Sequence, residues 1–260
     1  MKKDIVRQAV NLLATVATIV VNGLANALPI NGQTTGEISD RFRVYFVPAG
    51  YVFSIWGLIY LALIAFAAYQ ALPAQRENPH LRRIGYLFAL SCVANSAWIF
   101  LWHYEFFELT LVAMFGLLLL LIAVYLRLDI GRVRVSTAEK WLVHIPFSIY
   151  LGWITVATIA NVTSVLYYLN WDGWGIRPEI WAVIMLVVGA GIASAVSISR
   201  GDVAYVLVIV WAFVGIAVKH AATPLVAITA GLMALIVALT LLVGVPRNQQ
   251  RRRNLPTELA

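Results

Sequence analysis

Residues 106–126 read FFELTLVAMFGLLLLLIAVYL. Within them Leu117–Val124 is apolar however a helix is turned, and Glu108, near the start, is the one charged residue. A helix beside water carries a polar stripe. A helix in lipid needs none, and roughly 20 apolar residues cross the hydrocarbon. The same pattern recurs outward along the chain, at about 9–28, 51–72, 84–102, 141–164, 179–199, 203–219 and 223–245. Segment 203–219 is short. Lipid cannot satisfy open backbone polar groups, so helices are the expected spanning form. The alternating polarity of outer-membrane barrel strands is absent. The expectation is an all-α, polytopic membrane helix bundle of about eight transmembrane helices. The first segment shares a basic start with signal peptides, through Lys2, Lys3 and Arg7. Its apolar run is longer than theirs and is interrupted by Asn11 and Asn22, so it reads as a mature helix.

Composition agrees. Of 260 residues, 62% are hydrophobic and 12% charged, and mean hydropathy is +0.84. A soluble domain carries roughly 25% charged residues, so a soluble enzyme or nucleic-acid binder is excluded. The single cysteine, Cys92, excludes an internal disulfide framework. The net charge of +7 follows a pattern of topology. With the N-terminus inside, the inner side holds Lys2, Lys3, Arg7, Arg76, Arg82, Arg83, Arg127, Arg132, Arg134, Lys140, Arg200, Arg247 and Arg251–Arg253. The outer side holds only Arg41, Arg43, Arg177 and Lys219. Basic loops stay cytoplasmic, so both termini are expected in the cytoplasm. The basic tail reads as a lipid anchor rather than an RNA site. The expected location is a bacterial cytoplasmic (inner) membrane.

Midplane acids and bases mark pumps and intramembrane enzymes, and here they are nearly missing. Asp129, Glu139, Asp172, Glu179 and Asp202 fall at span ends. His144 lies near the inner surface. His103 with Glu105 and Glu108 makes too weak a cluster for a metal site, and Ser, His and Asp form no triad. No catalytic and no metal-binding residue is assigned. The spans instead carry aromatic and amide stripes. Phe53, Trp56 and Tyr60 share a face at i, i+3 and i+7; Tyr51 lies off that narrow stripe and is counted with them among the ligand-binding candidates. Asn95, Trp98 and Trp102 repeat the spacing, and Tyr150, Trp153, Ala157 and Asn161 share another face. Flat apolar walls with a few polar groups suit a hydrophobic, planar ligand. The loop at 29–50, which starts at Pro29, is long enough to act as a lid. Tyr167, Tyr168, Trp171 and Trp174 of the other outer loop read as an interfacial aromatic belt. The tight turn His103-Tyr104-Glu105 makes its two helices antiparallel neighbours.

These motifs resemble those of the TspO/MBR family, the tryptophan-rich sensory and translocator proteins. Pro48-Ala49-Gly50-Tyr51-Val52-Phe53-Ser54-Ile55-Trp56 with Tyr60 is similar to the start of the family's second helix. Asn95-x-x-Trp98 is similar to its third-helix motif, and Tyr150-x-x-Trp153-x-x-x-Ala157-Thr158-x-x-Asn161 to its fifth. The resemblance covers about residues 9–170. It departs at Ala49, where the family has a second proline, at Tyr51, where it has tryptophan, and at Ile149, where it has proline. It implies a five-helix bundle, often a homodimer, that binds porphyrins, sterol-like lipids and synthetic aromatic ligands under its first long loop. The implied pocket uses Trp56, Asn95, Trp98, Trp153, Ala157 and Asn161, with tryptophans stacking on the ligand and Asn95 and Asn161 offering it hydrogen bonds. The family's sterol pattern lacks its basic residue at Leu166; a similar pattern occurs at Leu121…Tyr125…Arg127.

The reading is therefore a TspO-like part, 1–170, followed by three further helices and a basic tail, 171–260. The three helices are expected to pack beside the five and take the place of a dimer contact, with Gly191-x-x-x-Ala195 as a close-packing face. The function expected is sensory or regulatory binding of a planar ligand, with no obligatory cofactor and a tetrapyrrole such as porphyrin or haem as the bound group. Membrane lipid is the other partner, and nucleic acid is not one. A transporter would show inverted repeats and broken helices, which are not evident. An enzyme acting on lipid would need an acid or nucleophile in a span; one acting on bound porphyrin through tryptophan would not. Reporter fusions after Gln75, after Arg134 and at the C-terminus should all signal cytoplasm. A periplasmic signal from the last would mean an odd number of spans, with 203–219 the first to drop.

Overall fold

The computed structural model describes residues 2–28 and 30–253. Pro29 of the long loop and the tail beyond residue 253 lie outside the described residues, as do the side chains of Arg252 and Arg253. Eight long helices carry the fold: α1 Lys2–Ala27, α2 Ile55–Ala71, α3 Leu87–His103, α4 Phe107–Arg127, α5 Ile145–Tyr168, α6 Pro178–Arg200, α7 Val203–Lys219 and α8 Pro224–Arg253. Among the described residues there is no strand. Six of the helices, α2 and α5 counted with their lead-in turns, are long and apolar enough to cross a membrane; α3 and α7 are shorter apolar helices of 17 residues, about 25 Å at 1.5 Å per residue.

Loops at one end are tied together. Arg82 pairs with Asp4 at 2.8 Å, Arg83 with Asp129 at 3.6 Å, and Arg200 donates to the Ile130 carbonyl at 2.9 Å. Gly201 lies against Asn248 near the end of α8. The start of α1 and the last turns of α8 thus sit at the end that gathers the inner-side basic residues of the charge count. At the opposite end Arg41 pairs with Glu105 and Lys219 with Asp40.

The first helix inverts the soluble pattern. Arg7, Gln8, Asn11, Thr15, Thr18 and Asn22 are buried, while Leu13, Val16 and Val20 are exposed. Asn11 and Asn22 do not interrupt the helix. They belong to a polar seam, because lipid rejects such groups and the neighbouring helices can satisfy them. Gln8 donates to the Gln70 carbonyl and Gln70 returns a bond to the Gln8 carbonyl; Asn11 donates to Gly85 and Thr18 to Cys92.

α5 is the central column: every residue from Pro146 to Val156 is buried. Pro146 has no N–H to donate, and the turn before it, Lys140–His144, opens into a π-helix. α2 and α4 flank α5, α3 packs on α4, and α1 lies outside α2 and α3. The last three helices do pack beside the five, with α7 directly on α5. Gly152 allows that contact, since a Cβ there would stand 3.1 Å from the Tyr205 carbonyl oxygen and from Val208 Cβ. Asp202 locks it. Buried at the start of α7, its carboxylate accepts from Ser148 of α5 at 2.6 Å, Tyr125 of α4 at 2.8 Å and the Tyr205 N–H at 3.2 Å. Burial raises the Asp202 pKa, and the Ser148 and Tyr125 bonds oppose that rise.

Two expectations are corrected. Gly191 and Ala195 are exposed, and a Cβ at Gly191 would meet nothing. The close contact of α6 and α8 is instead Gly244 against the Ser197 carbonyl. Leu121 and Tyr125 are buried, so the sterol-like pattern there is core, not a lipid-facing surface. Gly152→Leu should lower thermal stability by roughly 1–3 kcal/mol, the usual range for overpacking. Gly191→Leu should leave it nearly unchanged in the same melting experiment.

Candidate functional site

A cavity lies between α2, α3, α4 and α5 under the loop that joins α1 to α2. Its volume is about 70 Å³. Its walls are aromatic: Phe53 from the turn that leads into α2, Trp56 from the first turn of α2, Trp98 and Trp102 from α3, and Trp153 from α5. Trp153 stands nearly perpendicular to Phe53 (83°) and to Trp56 (81°), with centroids 5.6 and 6.1 Å away. Trp56 stacks on Tyr60 and Trp98 on Trp102, at 5.5 and 5.2 Å. Such contacts between rings fix their orientation. Ala157 and Ala160 keep the α5 wall low, and Met114 and Leu117 of α4 close the far side.

The polar groups of the walls are engaged with one another. Asn22 donates to Asn95 Oδ1 at 2.7 Å, and Asn95 donates to the Tyr150 hydroxyl at 3.0 Å. Trp98 Nε1 donates to Asn161 Oδ1 at 3.1 Å, and Asn161 donates to Thr110 Oγ1 at 2.9 Å. Trp102 Nε1 donates to the Thr35 carbonyl. Trp153 differs. It is 2% exposed, and its indole nitrogen is buried with no hydrogen-bond partner among the described residues. An orphaned buried donor is unfavourable by about 1–3 kcal/mol.

The loop forms the cover. Thr34 and Glu37 make a capping box that starts the short helix Thr35–Asp40. The bonds from Thr34 hold the Glu37 carboxyl below its ordinary pKa. Thr35, Ser39, Val47 and Pro48 reach the cavity. His103 pins the near side: Nε2 lies 3.0 Å from Thr35 Oγ1 and Nδ1 3.0 Å from the Ile30 carbonyl. Its ring is thereby a staple rather than part of a cluster with Glu105, which pairs with Arg41. The far side is pinned by the last helices. Tyr45 donates to Glu179 of α6 at 3.2 Å, and Ala49 N–H to the Gly215 carbonyl of α7 at 3.1 Å. Tyr45 also packs against His220, whose pKa is lowered by burial.

Phe53, Trp56, Asn95, Trp98, Trp102, Trp153, Ala157 and Asn161, all expected from the sequence, meet at this cavity. Three others do not line it. Tyr51 is half exposed and packs on Trp211, Tyr60 lies behind Trp56, and Tyr150 lies behind Asn95. Asn95 and Asn161, expected to offer hydrogen bonds to a ligand, line the cavity with one amide N–H of each already given to a protein partner. The sequence pointed to the loop at 29–50 as a cover, but not to which of its residues reach the cavity, nor to Met114 or Leu117. Met114 and Leu117 sit in a helix apolar all round, and the loop has no periodicity to read.

Comparison with known proteins decides the family. A model described as TSPO-like protein matches residues 8–243. The chain belongs to the TSPO-like protein family. No curated protein and no solved structure matches it. The family match runs well past residue 170, so α6, α7 and most of α8 lie inside it, although the quoted motifs end near Asn161. Family and fold together make this an integral membrane protein of TSPO type.

Proposed function

We propose that this membrane protein binds a planar, apolar ligand in the cavity, in a sensory or regulatory role. The observation that carries the reading is the Trp153 indole N–H. It is a buried donor without a partner, on an aromatic cavity whose other side-chain polar groups are largely engaged. A ligand with one acceptor, such as a carbonyl, carboxylate or ring nitrogen, would satisfy it. The residues fit a metal-free porphyrin better than haem. Among the described residues of the wall there is no histidine or cysteine, and Met114 offers only a weak thioether ligand. A cavity of 70 Å³ is far below the roughly 300–1,000 Å³ of ordinary ligand sites. A macrocycle therefore enters only when the loop between α1 and α2 lifts. Lifting would exchange the loop's ties to His103 and Trp102 on one side and to Glu179 and Gly215 on the other for contacts with the ligand, and ligand-coupled loop movement is what a sensor needs.

The test is porphyrin binding followed by tryptophan quenching in the purified full chain. Trp153→Phe keeps a ring and removes the N–H. It should weaken binding about five-fold, since a net hydrogen bond contributes ~1 kcal/mol and 1.4 kcal/mol is a decade. Ala157→Phe should abolish binding by filling the cavity. If both folded variants bind like wild type, the porphyrin is partitioning into detergent and the cavity is packing space.

A further inference from the structure

A second, larger recess opens between α2 and α7, at the basic end. It encloses about 670 Å³. At their far ends the two helices are clamped together. Trp211 Nε1 donates to the Val52 carbonyl at 3.2 Å, and Gly215 lets Val52 press directly on α7. From that clamp toward the basic end the helices part, and each packs on α5 instead. The gap is a wedge with α5 as its floor, open sideways to the bilayer. It shares no lining residue with the cavity of Trp153.

The chemistry of the wedge changes along its length. Leu58, Leu207 and Trp211 form apolar walls that face outward and are substantially exposed. From Val203 to Trp211 the wall rises about 12 Å at 1.5 Å per residue, close to one leaflet's share of a ~30 Å hydrocarbon layer. The polar groups gather at the mouth. Lys140 is exposed there beside His144, and exposed Trp141 gives the aromatic surface favoured at the headgroup level. Asp202 also lines the mouth, but its carboxylate already accepts three hydrogen bonds. The Arg200 guanidinium sits over the ring of one of its donors, Tyr125. Exposed Arg132, Arg134 and Arg247 surround the same end, so the field at the mouth is positive and draws anionic headgroups.

We propose that the wedge is a binding site for one anionic phospholipid of the leaflet at the basic end. Its phosphate lies beside Lys140, and one acyl chain runs along Leu207 to stop under Trp211. The clamp at Val52 sets the depth, which makes the site chain-shaped rather than a general lipid face. The lipid would seal α2 against α7, joining the first five helices to the last three.

Native mass spectrometry of the full chain tests this. The protein is exposed in detergent to equal amounts of phosphatidylglycerol and phosphatidylcholine with identical chains. Wild type should keep one lipid, with phosphatidylglycerol favoured about ten-fold. Lys140→Gln, at an exposed position, should bring that preference close to parity. Leu207→Trp should fill the wedge and reduce retention of both lipids several-fold, whereas Leu232→Trp on the outer face of α8 should not. Equal retention of the two lipids by wild type overturns the proposal. So does an unchanged preference in Lys140→Gln, or unchanged retention in Leu207→Trp. Porphyrin affinity should be the same in wild type and Lys140→Gln, which separates this site from the cavity.

Discussion

Everything in this bundle depends on one constraint: a polar side chain in a lipid-spanning helix must find its partner on another helix. α1 shows it most plainly. Its outer face is Leu13, Val16 and Val20, and its inner face is a run of amides and hydroxyls answered by backbone carbonyls of α2 and α3. The same rule draws Asn22, Asn95 and Tyr150 into one chain and Trp98, Asn161 and Thr110 into another. Each interhelical bond is modest, averaging ~0.6 kcal/mol where measured in a membrane protein. Their directional value is larger, because they fix which faces meet and hold the tryptophans around an unfilled space. On the cavity wall the rule is left unmet at Trp153, and for that reason its indole nitrogen stands out as a place for something else to bind.

Much of the fold was legible in the sequence. A run such as Leu117–Val124 has one environment open to it, and eight such segments set the helix count. The aromatic and amide faces of α3 and α5 were legible too, since helical spacing holds throughout Leu87–His103 and Ile145–Tyr168. Spacing also set Tyr51 apart from Phe53 and Trp56: in the 3₁₀ turn Gly50–Ser54 Tyr51 turns toward Trp211 while Phe53 faces the cavity. The seam of α1 was present as residues 8, 11, 15, 18 and 22, alternately three and four apart. It reads as interruption if polar residues are assumed to face out, and as the buried face once lipid is the solvent. The roles of Asn95 and Asn161 were not legible, because an amide's partner lies on a different helix at no fixed distance in sequence.

The last three helices gain a physical role from their contacts. α7 buries the flank of α5 through Gly152 and Asp202, and its far end together with α6 holds the cover loop by Gly215 and Glu179. The cavity residues all come from positions before 170, but the pins on the far side of the loop do not. Division at residue 170 therefore separates the walls of the cavity from part of its closure.

The central claim is that the cavity is a ligand site closed by the loop between α1 and α2. Hydrogen–deuterium exchange of the full chain, with and without saturating free-base porphyrin, reads that closure directly. The account predicts slowed exchange across residues 35–49 on binding, with no change in the turn at 128–136 of the opposite end. Unchanged exchange in 35–49 under conditions where porphyrin is bound would contradict it.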